Sequence, residues 1–114
     1  MQLRNRDSDA TPFVTKDGST IREYHHTSVQ SLAEASLEPG AATHRHYHAR
    51  SEEIYLVVEG SGLLEVDAET REVTAGDAIV IPPGSWHKLT AHGTGVRLLC
   101  CCVPPYSDDD TFFA

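Results

Sequence analysis

Glycine and proline signals cut this chain into short pieces and leave no room for a long helix. They fall at Asp17-Gly18, Pro39-Gly40, Gly60-Ser61-Gly62, Gly76-Asp77, Pro82-Pro83-Gly84 and Gly93-Thr94-Gly95. Between them lie β-rich runs at Ile54–Val58, Ala78–Ile81 and Val96–Val103. Short apolar runs separated by frequent turns predict an all-β sandwich or barrel. Asp17-Gly18, set between Pro12–Thr15 and Thr20–Tyr24, predicts an N-terminal hairpin. Gln30–Leu37 has a helix-like composition, but Pro39-Gly40 follows at once, so the segment is read as a strand. A chain of 114 residues holds one domain. The expected layout is a flexible polar segment at 1–10, a barrel at 11–106 and a tail at 107–114. The tail joins an acidic run, Ser107–Asp110, to an apolar end, Thr111–Phe113, which suggests docking onto the barrel or onto a second subunit.

Charge narrows the partners. Nine Lys and Arg face 17 Asp and Glu, a formal net charge of −8. Such a chain repels phosphate backbones and anionic membrane surfaces, so neither nucleic acid nor membrane is an expected partner. The first ten residues carry two arginines with no apolar stretch behind them, which does not read as a secretory signal and makes the cytoplasm the default location. The three cysteines, Cys100, Cys101 and Cys102, are consecutive. Neighbours in a strand face opposite sides, and a disulfide between them is strained. They read as small apolar residues of a buried strand, with one pocket-facing functional thiol as the alternative.

The chemistry-bearing feature is histidine. There are seven, and His44, His46 and His48 occupy alternate positions. In a strand, alternate residues share a face, and His46 and His48 would stand about 6.5–7 Å apart at Cα. That is close enough for two imidazoles to reach one ion. Glu53 follows after a short turn, and His87 comes just after Pro82-Pro83-Gly84. Imidazole nitrogens with a carboxylate oxygen suit Fe(II), Mn(II), Ni(II), Zn(II) or Cu(II), and leave positions open for substrate or water. His25, His26 and His92 have no such company and read as ordinary surface or core residues.

In these stretches the sequence resembles the cupins. Their first motif appears as Gly40, five residues, His46-Tyr47-His48, four residues, Glu53, six residues, Gly60. The second appears as Gly76, five residues, Pro82-Pro83-Gly84, two residues, His87, three residues, Ala91. Only Ala91 departs from the pattern, which has asparagine there. The resemblance implies an antiparallel jelly-roll β-barrel, the double-stranded β-helix. It also implies that His46, His48, Glu53 and His87 bind one divalent transition metal inside it. Glu52 competes with Glu53. The six-residue spacing to Gly60 favours Glu53, as does its parity with Tyr55 and Val57.

His44, with the parity of the ligands, and Tyr55, in step with Glu53, are the candidate catalytic residues, as carriers of a proton beside the ion. The bland alternatives are a barrel-mouth histidine and a core tyrosine. The cupin barrel hosts many reactions, so the resemblance implies a metal more firmly than a chemistry. Three readings follow. One is metal-assisted acid–base chemistry on a small organic substrate, of isomerase, lyase or cyclase type. This chain is similar to small cupins described as mannose-6-phosphate-isomerase-like, although it shows no cluster of Arg and Lys for a phosphate. The others are a metal dioxygenase and a non-catalytic binding module. Exposed sheet edges, Trp86 and Phe112-Phe113 point to a homodimer.

Overall fold

The structure, a computed structural model, describes all 114 residues. A single helical turn, α1 (Arg6–Asp9), precedes eight strands: β1 (Phe13–Val14), β2 (Thr20–His26), β3 (Ser31–Leu37), β4 (His46–His48), β5 (Glu52–Val66), β6 (Glu69–Thr74), β7 (Ala78–Ile81) and β8 (His87–Val103). A 3₁₀ turn at Asp108–Asp110 leads into β9 (Thr111–Phe113). All pairing is antiparallel. The fold is the all-β jelly roll expected from the sequence. No helix is long and apolar enough to cross a membrane.

β5 and β8 form the spine. They pair along nearly their whole length, from Glu52 opposite Val103 to Val66 opposite His87. One half of this ribbon extends through β3, β2 and β1 on one side and β7 on the other. The other half carries β6 and β4, with β9 beyond β4. Both walls therefore share two strands, and the ribbon must double over in its middle. The register breaks there, between Val57 and Glu59 and again between Gly60 and Gly62.

Gly60-Ser61-Gly62 and Gly93-Thr94-Gly95 were expected to be turns between separate strands. They are instead the bend inside β5 and β8. Gly60 has φ +78°, and a Cβ added to it would sit 2.0 Å from the Gly95 carbonyl oxygen. The glycines are needed because two backbones touch, not because the chain reverses. The irregularity also switches which residues face inward. Glycines aside, in β5 the buried residues are Glu53, Tyr55 and Val57 before the bend and Leu64 after it. In β8 they are His87, Leu89 and Ala91, then Val96, Leu98 and Cys102. An odd-numbered inward set becomes an even-numbered one, so both halves keep their apolar side toward one core.

That core is built from Ala35, Leu37, Tyr55, Val57, Leu64, Val73, Ile81, Leu89, Ala91, Val96 and Leu98. The N-terminal segment, expected from its polarity to be loose, lies against the outside of β2 and β3. Arg6 Nε donates to Glu34 Oε2 at 2.7 Å, and Arg22 donates to the carbonyls of Arg6 and Ala10. These partners are distant in sequence, so no local pattern announces them. The tail docks on its own barrel, β9 pairing with β4 and Phe112 stacking on Tyr47 with ring centroids 5.1 Å apart.

Adding a methyl group at the bend should cost far more than adding one at an open turn. Gly60→Ala meets the Gly95 carbonyl and a disfavoured φ, and is expected to destabilise by about 3–5 kcal/mol. Gly76→Ala, with φ +97° but nothing within 4 Å, should cost about 1 kcal/mol. Urea denaturation of the two variants checks the difference.

Candidate metal centre

β4 is only three residues long, yet it puts His46 and His48 on its inner face with Tyr47 on its outer face. Pairing of His46 with His87 brings the third imidazole alongside. The ligand nitrogens of the three lie within 4.8 Å of one another, and all three residues are buried. Glu53, buried on β5, sends Oε1 to within 3.5 Å of His48 Nε2 and 3.3 Å of His87 Nε2. It is thus adjacent to two imidazoles rather than equally close to three. Glu52, its neighbour, is exposed.

Each imidazole is oriented from behind. His46 Nδ1 donates to the His44 carbonyl at 2.7 Å, and His87 Nδ1 to the Ser85 carbonyl at 2.9 Å. His48 Nδ1 lies 3.1 Å from Thr111 Oγ1, whose own hydroxyl donates to the Ser107 carbonyl. Thr111 must therefore accept from His48. In all three neutral rings the proton sits on Nδ1 and the Nε2 lone pair faces the interior. His87 Nε2 and Glu53 Oε1 are buried without any hydrogen-bond partner. Buried polar atoms are rarely left unpaired, and acceptors converging with no donor between them fit a cation. The donor set fits a divalent transition ion.

Burial would push the Glu53 carboxyl up, but His48 and His87, when they carry a proton in place of an ion, outweigh burial and lower it below the ordinary carboxylate range. Burial, then repulsion from His87, lowers His46 and keeps it neutral. For His48, burial opposes the charge, but Glu53 and, behind it, Asp110 outweigh burial and raise its pKa.

A cavity of about 70 Å³ opens beside the cluster. Tyr55 lines it, buried, its ring 6.1 Å from that of His87. Burial and then the Glu53 charge push its phenol well above the ordinary value, so it carries its proton. His44 is elsewhere. Its side chain is exposed and outside the cavity lining, because the strand begins only at His46 and the alternation assumed for it does not extend back. Its backbone carbonyl, not its imidazole, serves the site. Cys100 and Cys102 line the cavity, while Cys101 does not. Cys102 Sγ donates to Glu53 Oε2 at 3.2 Å. Burial, then Glu53, raises both thiols, so they stay protonated and are poor ligands or nucleophiles.

Two contributions have no signal in the sequence. Asp17, read only as half of a turn, lines the cavity with Oδ2 3.9 Å from His46 Nε2. Asp110, inside a run that looks solvated, is buried and accepts from the Arg50 and Ser51 amides at 3.1–3.2 Å. It fixes the loop that joins His48 to Glu53.

With this geometry in place, comparison with known proteins is decisive. The Cupin domain profile matches residues 33–103. The chain belongs to the cupin family. Uncharacterized protein MJ1618 of Methanocaldococcus jannaschii is 48% identical over 106 residues, covering 88% of this chain and 85% of its own. The dimethylsulfoniopropionate lyase DddW of Ruegeria pomeroyi is 36% identical over 66 residues, covering 58% of this chain and 43% of its own. Among solved structures, this cupin matches KdgF from Halomonas with a TM-score of 0.84 and 24% identity over 95% of this chain and 98% of the other. It matches Pac13, a nucleoside dehydratase, with a TM-score of 0.81 and 20% identity over 100% and 91%. At such identities these structures establish the fold.

Asp110 yields a pH prediction. Burial would raise its carboxyl, but the Arg50 and Ser51 amides outweigh burial and hold it below the ordinary value. A lowered folded pKa contributes stability above the unfolded carboxylate value near 4, and that stability fades as pH falls through it. Asp110→Asn should cost about 1–2 kcal/mol at pH 7. The gap to the wild type should shrink by pH 3, as read from urea denaturation at both values.

Proposed function

We propose that this cupin is a divalent-metal-dependent enzyme that uses acid–base chemistry on a small organic molecule, of lyase, isomerase or cyclase type. The observation that carries the reading is the unpaired pair of buried acceptors, His87 Nε2 and Glu53 Oε1, next to a cavity that His46, His48, Glu53 and a protonated Tyr55 line. His46, His48, His87 and Glu53 would hold the ion. When bound, a Mn, Fe, Ni, Zn or Cu ion polarises an oxygen of the substrate.

The chain's own residues do the rest. Tyr55, kept neutral, offers a hydrogen bond or a proton from the cavity wall. Leu98 and Ala35, both buried, line the cavity with apolar surface. Thr111, Ser85 and His44 hold the rings through their Nδ1 protons, so little reorientation is needed for binding. The lyase name of the Ruegeria relative favours the lyase branch.

The proposal includes a homodimer. Val80, Ile54, Cys101 and Leu32 form one continuous row across β7, β5, β8 and β3 on the outer face, with Val103 and Leu56 nearby. Leu32, Ile54, Leu56, Val80 and Val103 are all exposed. Apolar area of this kind on adjacent strands supports a second copy of the chain as its cover. Light scattering should give twice the 12.5 kDa chain mass, and a monomer overturns this part.

The metal reading is tested on purified protein. His46→Ala, His48→Ala and His87→Ala should each lower affinity for Mn(II) or Zn(II) by about 100-fold or more, and Glu53→Gln should lower it less. Glu52→Gln should leave it unchanged. Titration calorimetry and elemental analysis read both. The reaction class is tested with a panel of small hydroxy, amino and keto acids and polyols, run with and without oxygen. Turnover should persist under anoxia, and its loss there would make the protein a dioxygenase instead.

A further inference from the structure

We infer that Asp17 is the specificity-determining carboxylate of the cavity. It selects substrates that present a hydrogen-bond donor, a hydroxyl or a protonated amine, a short reach from the metal-held group. The inference rests on the metal reading above and extends it to a substrate class.

Asp17 is held from one side only. Its Oδ1 accepts from Thr15 Oγ1 at 2.6 Å, from the Ser19 amide at 2.8 Å and from Ser19 Oγ at 2.6 Å. Three donors on one oxygen use up that side of the carboxylate and fix its plane. Oδ2 makes no hydrogen bond within the chain and points to the cavity, 3.9 Å from His46 Nε2. A turn that only needed closing would have been served by Oδ1 alone. The free oxygen is instead a fixed acceptor beside the imidazole cluster, where a bound molecule would meet it.

The rest of the cavity points the same way. No Lys or Arg lines it. Its other carboxylates are Glu53, among the imidazoles, and Glu23 at the exposed rim. Phe13 and Ile21 from the same hairpin and Ala33 from β3 supply apolar wall around Asp17. A phosphate or a second carboxylate placed there would face Asp17 with no counter-charge. A hydroxyl or ammonium would find a charge-assisted partner with apolar surface on either side. The site therefore rejects anionic tails by repulsion as well as choosing donors by attraction.

The test uses Asp17→Asn. The asparagine oxygen can take over all three Oδ1 contacts, and its amide then turns the cavity-facing atom from acceptor into donor. Wild type and variant are loaded with Mn(II). They are then titrated with two probes that share a carboxylate head, 3-aminopropanoate and butanedioate, and binding is read by water-proton relaxation and calorimetry. The wild type should bind 3-aminopropanoate about 10-fold or more tighter than butanedioate. Asp17→Asn should lose that preference, mainly through weaker 3-aminopropanoate binding, while still taking up Mn(II), with an affinity lowered by the loss of one nearby charge. Equal binding of the two probes by the wild type overturns the inference even if the variant is never made. An unchanged preference in Asp17→Asn overturns it too. So does a loss of the metal from that variant, which would make Asp17 a ligand. If neither protein takes up Mn(II) or Zn(II), the metal reading itself falls and takes this inference with it. Retained metal without probe preference sinks the inference alone.

Discussion

The contact between Gly60 and Gly95 governs both the fold and the site. Glu53 and Val66 stand near opposite ends of β5, and a straight strand would separate them by roughly 40 Å. Val66 is the partner of His87 across the ribbon. Yet Glu53 Oε1 lies 3.3 Å from His87 Nε2. The two residues can meet only if the β5–β8 ribbon folds back on itself. The fold-back requires two backbones to pass closer than any Cβ allows. The same irregularity moves the inward set from odd to even positions. His87 and Cys102, near the two ends of β8, therefore both reach the interior. Barrel closure, core continuity and the imidazole–carboxylate cluster are consequences of one bend.

What the bend brings together would be costly without further compensation. A buried carboxylate beside three buried imidazoles is stabilised only in part by its neighbours. Its contacts to His48 and His87, at 3.5 and 3.3 Å, are longer than good hydrogen bonds. One oxygen is satisfied by the Cys102 thiol, a weak donor, and the other by nothing. The chain spends its strong hydrogen bonds elsewhere, on the backs of the rings. This is the distribution expected of a site whose orientation is set in advance and whose inner valences are kept for a guest.

The sequence showed some of this plainly. His46-Tyr47-His48, Glu53, Pro82-Pro83-Gly84 and His87 are close in sequence or carried by a spaced pattern, so the barrel and the histidine cluster were legible. The parity of Glu53 with Tyr55 and Val57 was also legible, because that half of β5 is regular. Alternation failed wherever regularity failed. Across Gly60-Ser61-Gly62 and Gly93-Thr94-Gly95 a change of inward parity looks the same as a turn between strands, so two long bent strands read as several short ones. At His44 the period of two was extended past the end of a three-residue strand. Asp17 and Asp110 left no trace of their roles, because each meets the site through residues tens of positions away. A lone acidic or hydroxyl residue in a turn looks the same whether it faces solvent or a cavity.

This division has a chemical meaning. The family pattern covers Gly40 to Ala91 and supplies the imidazoles and the carboxylate. Most of the cavity wall comes from outside it: Phe13, Asp17 and Ile21 on one side, Leu98, Cys100 and Tyr106 on another. The back of His48 is held by Thr111, and the loop between the ligands by Asp110, both near the C-terminal end. The stretch that makes a cupin recognisable thus fixes the imidazole–carboxylate cluster and says little about the cavity beside it. The flanking strands decide shape, charge and hydrogen bonding at the open side. They can vary without disturbing the bend or the cluster. A barrel organised this way can keep one imidazole–carboxylate geometry while its cavity wall varies. For this chain, the carboxylate that Thr15 and Ser19 fix in the β1–β2 turn belongs to that variable wall.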